Sequence, residues 1–204
     1  MFQTLSYESS RFFGSLCAIP KFSTSLEEVI WNKIHAFQPC SLVISKKGKT
    51  TGIYYHSGGR YFRKCLLNKL SNEYKPLIIP AGTEHQFIAL LSSNLYYWYW
   101  IIVSDTYHVT KPDIEKFPLP ESIFSDMELK MLGEKFYNNL WKNAIQRKRN
   151  RKDGTIQVEV NFLIGKSKPI INEIDRVLAR HYGFTEEELD FIINYDIKYR
   201  MGIK

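Results

Sequence analysis

Cysteine, glycine-rich loops and unbroken apolar runs are scarce in this sequence, and each shortage argues against a class of protein. The three cysteines, Cys17, Cys40 and Cys65, are widely separated, form no CxxC pair and have no histidine at metal-ligand spacing. That speaks against a disulfide framework and a zinc site and fits a reducing cytoplasm. The eleven glycines include no phosphate-cradling loop: "HSGGR" lacks the spacing, and P-loop and GxSxG patterns are missing. The longest apolar stretch, 87–103, is about 17 residues and is interrupted by Ser92, Ser93 and Asn94, so no membrane span is expected. The opening "MFQTLSYESSRFF" has no basic start followed by an apolar run, so no signal peptide is expected either. A soluble, cytoplasmic protein without a membrane partner is the expectation.

Acidic residues are also in the minority. Lys and Arg number 28 against 21 Asp and Glu, a net charge of +7 over 204 residues. The excess is concentrated. Between 42 and 75 stand Lys46, Lys47, Lys49, Arg60, Arg63, Lys64, Lys69 and Lys75 against Glu73 alone, which equals the excess of the whole chain. Tyr54, Tyr55, His56, Tyr61 and Phe62 are interleaved with these cations. A charge run by itself is a solvated face, but this mixture of cations and rings is what a polyanionic, base-bearing partner requires.

Hydrophobic periodicity gives an α+β fold class: a small mixed or antiparallel sheet with packed helices, then a mainly helical C-terminal part. The expected boundary divides a domain at 1–120 from the part at 121–204. "SLEEVIWNKIHAF" has helical spacing with a capping Ser or Thr before it. "SLVIS", "TGIYYHS", the stretch after "SGG" and "KPLIIPAG" read as strands. From Glu84 to Val103, Phe87, Leu90, Leu91, Leu95, Trp98, Ile101 and Ile102 form one stripe of a single amphipathic helix. Most of its aromatics are then core, leaving Tyr97 or Trp100 for other uses. "FPLP" stops regular structure. A long helix is expected from Asp126 to about Arg149, with the basic run "QRKRNRK" complementing its dipole. "TIQVEVNFLIG" alternates as a strand, and Pro169 and Gly183 start and stop a helix. Thr185 and Glu188 make a capping box for a last one.

Candidate chemistry is sparse. "KPDIEK" places Asp113, Glu115 and Lys116 together, whereas a metal nuclease needs its Asp apart from the Glu-x-Lys pair. Asp105 and His108 are the one candidate acid–base pair, with no nucleophile in view; His35, His56, His85 and His181 stand isolated. The acidic or amide residue followed by two prolines and an aromatic, with which adenine methyltransferases hold the target amine, occurs nowhere. The residues point to a binding module.

Several segments resemble one family. "ALLSSNLYYWYWIIVSDTYHVTKPDIEKFPLP" resembles a signature in the C-terminal, TaqI-like target-recognition region of bacterial adenine-N6 DNA methyltransferases and combined restriction–modification enzymes. Leu91, Ser92, Ser93, Tyr97, Trp98, Ser104, Asp105, His108, Asp113, Phe117 and Pro118 fall on that pattern. "KSKPIINEIDRVLARHYGFTEEELDFIINYDIKYRMG" is similar to the C-terminal end of the same enzymes, and "AIPKF…LEEVIWNKI" matches the start of the recognition domain more loosely. The resemblance implies sequence-specific recognition of double-stranded DNA by a chain that is not itself an enzyme. A methyltransferase catalytic domain would be its partner. S-adenosylmethionine is expected in that domain, and no cofactor in this chain.

Within that expectation the residues take roles. Lys46, Lys47 and Lys49 suit phosphate contact, Arg60 and Arg63 suit bidentate readout of guanine, and Lys64 is expected at the DNA beside them. Tyr54, Tyr55 and His56 would flank them. His108 and Lys111 would meet DNA from the loop after the aromatic helix, with Ser104 and Asp105 structuring that loop. Three alternatives stay open. One is a docking module for a methyltransferase or specificity subunit, which calls for an exposed apolar patch in 126–204. The others are single-stranded RNA binding by stacked rings, and an enzyme whose pocket holds Asp105 and His108.

Overall fold

The computed structural model describes residues 20–45, 48–58, 65–150, 154 and 156–197. Helix α1 (Ser25–Ile34) begins at a full capping box, in which Thr24 Oγ1 accepts from Glu27 N and the Glu27 carboxylate accepts from Thr24 N. Its Ile30, Trp31 and Ile34 are completely buried. The next segment departs from expectation. "SLVIS" is not a strand: Cys40–Ser45 forms a short helix, α2. Its start is held from outside, by Cys40 N donating to Phe117 O (2.8 Å) and a β-bridge between Pro39 and Pro118. With its first residues fixed this way, the β preference of Val and Ile is overridden.

Strands β1 (Thr50–His56), β2 (Cys65–Leu66) and β3 (Tyr74–Pro80) form an antiparallel sheet in the order β2-β1-β3. Alternation places Ile53 and Tyr55 of β1 against the core, with Tyr54 and His56 on the other face. On β3, Leu77, opposite Ile53, and Ile79 are buried while Ile78 is 55% exposed.

The aromatic stretch is two helices, not one. Helix α3 (Glu84–Ser92) ends and α4 (Asn94–Val103) begins about Ser93, whose ψ of 159° is extended. Ser93 Oγ donates to Leu90 O (2.6 Å) and accepts from Tyr96 N (3.0 Å), closing one helix and capping the next. The break rotates the second half so that 94–100 is buried on every side, Tyr97 and Trp100 included. The expectation that those two rings were free for other work is therefore corrected.

After α4 come α5 (Lys111–Glu115) and the "FPLP" segment, which is buried and paired to 38–40 through Leu119 N and Gln38 O (2.9 Å). A 3-10 turn (Glu121–Ser125) leads into α6 (Met127–Lys142). This helix stops at Lys142. The basic run expected at its C-terminus is instead a strand, β4 (Ala144–Asn150), paired in a ribbon with β5 (Ile156–Phe162). A second 3-10 turn (Ile164–Ser167), α7 (Lys168–Tyr182) and α8 (Glu186–Asn194) are the last elements among the described residues. Gly183 stops α7 at φ 68°, in the left-handed region where glycine carries no Cβ penalty, and the Thr185–Glu188 capping box starts α8.

The architecture is α+β, as composition and periodicity indicated. One continuous hydrophobic core runs from Ile30 to Ile192, so the helices after residue 121 pack on the same apolar cluster as the sheet and α4. No helix among the described residues is long and apolar enough to cross a membrane.

Buried polar bonds fix how the helices meet. Trp98 of α4 donates its indole N–H to Glu27 Oε1 (3.1 Å), tying α4 to α1. Asp175 of α7 accepts from Leu95 N (3.1 Å) and from Asn94 Nδ2 (2.5 Å) at the start of α4. Lys33 of α1 pairs with the buried Glu188 of α8 (2.8 Å), and Tyr182 OH donates to Pro118 O (2.7 Å). These bonds join the three stretches on which the family resemblance rests.

Candidate nucleic-acid interface

The loop after α4 is exposed yet built from internal bonds. Asp105 Oδ1 accepts from Tyr107 N (2.8 Å) and His108 N (2.9 Å), and Ser104 Oγ accepts from Thr106 N (3.1 Å). The backbone bonds to the carboxylate, first that from Tyr107 and then that from His108, hold Asp105 below the ordinary carboxylate range. Thr106 sits at φ 63°, a strained left-handed conformation for a β-branched residue. The loop is pinned at its far side: Trp100 Nε1 donates to His108 O (3.1 Å), and the buried Val109 donates to Ser57 O (2.9 Å) just after β1. Lys21 closes its base, with Nζ 2.6 Å from Ser104 O. Lys21 thus provides a cation at the carbonyl end of α4, where it suits the dipole.

Tyr107 and His108 stand on this platform with their rings outward. Tyr107 is 58% exposed, and its ring meets that of His108 edge-on at 4.5 Å. His108 Nδ1 lies 3.6 Å from Asp105 Oδ2. Tyr107 was missed by the sequence reading, which weighed rings by density; its ring is exposed because the loop turns it away from a filled core.

The other proposed contacts separate into groups. Lys111 is exposed and pairs with Glu115 (3.1 Å) one turn along α5. His56 points its Nε2 at Glu73 (2.9 Å) and packs edge-on against Tyr74 at 4.8 Å, so it is partnered rather than isolated. Tyr54 shares its half-buried face. Tyr55 is on the opposite face, only 6% exposed and in the core, so the assignment of Tyr55 to DNA contact is corrected: strand alternation turns it inward. Burial raises its phenol pKa above the usual value, with the nearby carboxylates of Asp113 and Glu115 adding to the shift. Lys49 is exposed at the other end of β1, about 23 Å from His56 at ~3.3 Å per residue. Lys46, Lys47, Arg60, Arg63 and Lys64 lie outside the described residues.

A second polar chain links Ser122, His181 and Asp126. His181 Nε2 lies 2.7 Å from Asp126 Oδ2, and His181 Nδ1 lies 2.8 Å from Ser122 Oγ. The order Ser–His–Asp is that of a hydrolase triad, but each member also has a structural task. Asp126 Oδ1 caps α6 through Leu129 N (2.8 Å), and His181 sits in the last turn of α7, tying the two helices together. Among the described residues no cluster of three or more His, Cys, Asp or Glu could hold a metal ion.

No family model, no curated protein and no solved structure matches the chain.

Proposed function

We propose that this chain is a sequence-specific double-stranded DNA recognition module of an adenine-N6 DNA methyltransferase or restriction–modification enzyme, and that it does not catalyse on its own. The observation that carries the reading is the 104–111 loop: a rigidly bonded turn, seated on a filled aromatic core, that presents Tyr107, His108 and Lys111 to solvent. A reader of base edges needs this arrangement, because side chains held in place beforehand lose little entropy on binding. The concentration of the chain's net positive charge in 42–75, whose β1 end is bonded to the same loop through Ser57 and Val109, adds the electrostatic attraction for phosphates. The resemblance of 89–120 and 166–202 to target-recognition regions points the same way. S-adenosylmethionine would belong to a separate catalytic domain.

Fluorescence anisotropy with a mixed-sequence duplex, across a salt series and against single-stranded competitor, tests the reading. Duplex preference with a steep salt dependence is expected, weakened about tenfold by Tyr107→Ala with His108→Ala. Equal affinity of wild type and that variant, or preference for single strands, overturns it.

One observation favours a second reading, docking on a partner protein. Met127 and Met131, one turn apart on α6, are 62% and 66% exposed. Methionine makes adaptable contact surfaces. Under this reading Met127→Ser with Met131→Ser abolishes co-purification with the catalytic subunit and leaves duplex affinity unchanged.

A further inference from the structure

The β4–β5 ribbon is the feature that neither the fold nor the loop site uses. Its base is held by Phe162, edge-on to Trp141 at 5.3 Å. Beyond that base, 145–148 and Asn150 are exposed, as are Ile156 (61%) and Val158 (51%). A two-stranded ribbon is marginal in water unless something packs on it, so a solvent-exposed one with aliphatic side chains facing out calls for an occupant.

We infer that this ribbon enters a groove of duplex DNA and reads it, as a second contact separate from the 104–111 loop; the inference rests on the reading of duplex DNA as the partner. The strand register decides its chemistry. Gln146, Lys148 and Asn150 share one face of β4, and Val158 and Ile156 lie opposite Lys148 and Asn150. Arg147 projects from the other face. An exposed cation therefore stands on each face, with Glu159 across from Arg147 on the second. A ribbon laid in a groove turns one face to the base edges and is flanked by a phosphate wall on each side, which long Lys and Arg side chains can reach. The major groove, about 12 Å wide, admits a two-stranded ribbon.

The face bearing Gln146 and Asn150 also suits base edges. A side-chain amide can bond adenine N6 and N7 together, and an adjacent aliphatic group can meet a thymine methyl. Seven residues per strand give the ribbon a reach of about 24 Å at ~3.4 Å per residue, enough to cross a groove. Its charge is thus placed for phosphates, and its amides and Val158 for bases.

The test compares three versions of the chain by anisotropy on one mixed-sequence duplex across a salt series: unaltered, Arg147→Gln with Lys148→Gln, and Tyr107→Ala with His108→Ala. All the altered positions are exposed, and circular dichroism verifies that each version is folded. The ribbon variant is expected to bind about tenfold more weakly, with a salt slope reduced by about two, one per lost phosphate contact. If it matches the unaltered chain in affinity and slope while the loop variant is weakened, the ribbon inference is overturned and the recognition reading stands. Failure of the unaltered chain to bind duplex at low salt overturns both. Loss of self-association in Ile156→Ser with Val158→Ser, without change in duplex affinity, assigns the ribbon to protein contact instead and also overturns the inference.

Discussion

Asp175 caps a helix that begins 81 residues before it: its carboxylate, 2% exposed on α7, accepts from the side chain of Asn94 and the backbone N–H of Leu95. A carboxylate at a helix N-terminus meets both unsatisfied N–H groups and the positive end of the dipole. The C-terminal part of the chain thereby sets the position of α4, whose other end carries the exposed 104–111 loop.

Asp175→Ala leaves buried donors without an acceptor. A loss of about 3 kcal/mol is expected, lowering Tm by ~6–12 °C in a protein of this size. Urea denaturation measures it. In a double-mutant cycle Asn94→Ala should be far less costly once Asp175 is gone; additive losses would show that the two do not act as a unit.

At Gly133 the backbone of α6 packs closely against that of α3. A Cβ there would come 2.0 Å from the carbonyl oxygen of His85, a backbone atom that cannot step aside alone. Gly133→Ala is expected to cost about 3 kcal/mol, outweighing the ~1 kcal/mol that alanine contributes to helix propensity. The exposed control Asn138→Ala on the same helix should stay within about 0.5 kcal/mol of wild type in the same melt.

Asp126 gives a pH dependence. Burial works against its charged form, but the bonds from Leu129 N and His181 prevail and hold its pKa below the ordinary carboxylate range. A lowered folded-state pKa means stability that is fully present above the unfolded value, about 4, and lost as pH falls through the folded value. Asp126→Ala is therefore expected to destabilise the protein at pH 7, by a difference that shrinks progressively as pH falls below about 4. A difference that stays constant across this range, read by urea denaturation, would remove the carboxylate from the account.

Cys40 and Cys65 should be unreactive. Burial, with a smaller contribution from Glu115, pushes the Cys40 thiol up to about 12, and burial raises Cys65 further. In a Cys17→Ser background, no thiol labelling is expected in the folded protein at pH 8, and two labels are expected in urea. Labelling in native buffer at the rate of a free thiol would show that the α2 region opens without global unfolding.

The parts legible in the sequence are those set by local chemistry. The Thr24–Glu27 and Thr185–Glu188 capping boxes, the Pro169 start and Gly183 stop of α7, and the strand character of β1, β3 and β5 each depend on neighbours within a few residues. Ser104 and Asp105 belong here too, since a short polar side chain bonds the N–H two residues on wherever the chain turns. The misread segments are those whose neighbours are distant. "SLVIS" became helical because Phe117 and Pro118 hold its first residues, and 146–150 of the basic run became a strand because 156–160 pairs with it. Periodicity also ran across Ser93, where a hydroxyl ends one helix and starts another without disturbing the apolar spacing.

For the candidate interface the division is similar. Composition and charge alone determined that the protein is basic and aromatic-rich, because these are sums over residues. Only the tertiary structure decided which rings are available. Tyr55, Tyr97 and Trp100 are consumed by the core, whereas Tyr107 is exposed by a loop whose geometry depends on Trp100 and Ser57. Exposure depends on where distant segments stop packing, and a side chain's own identity does not carry that information.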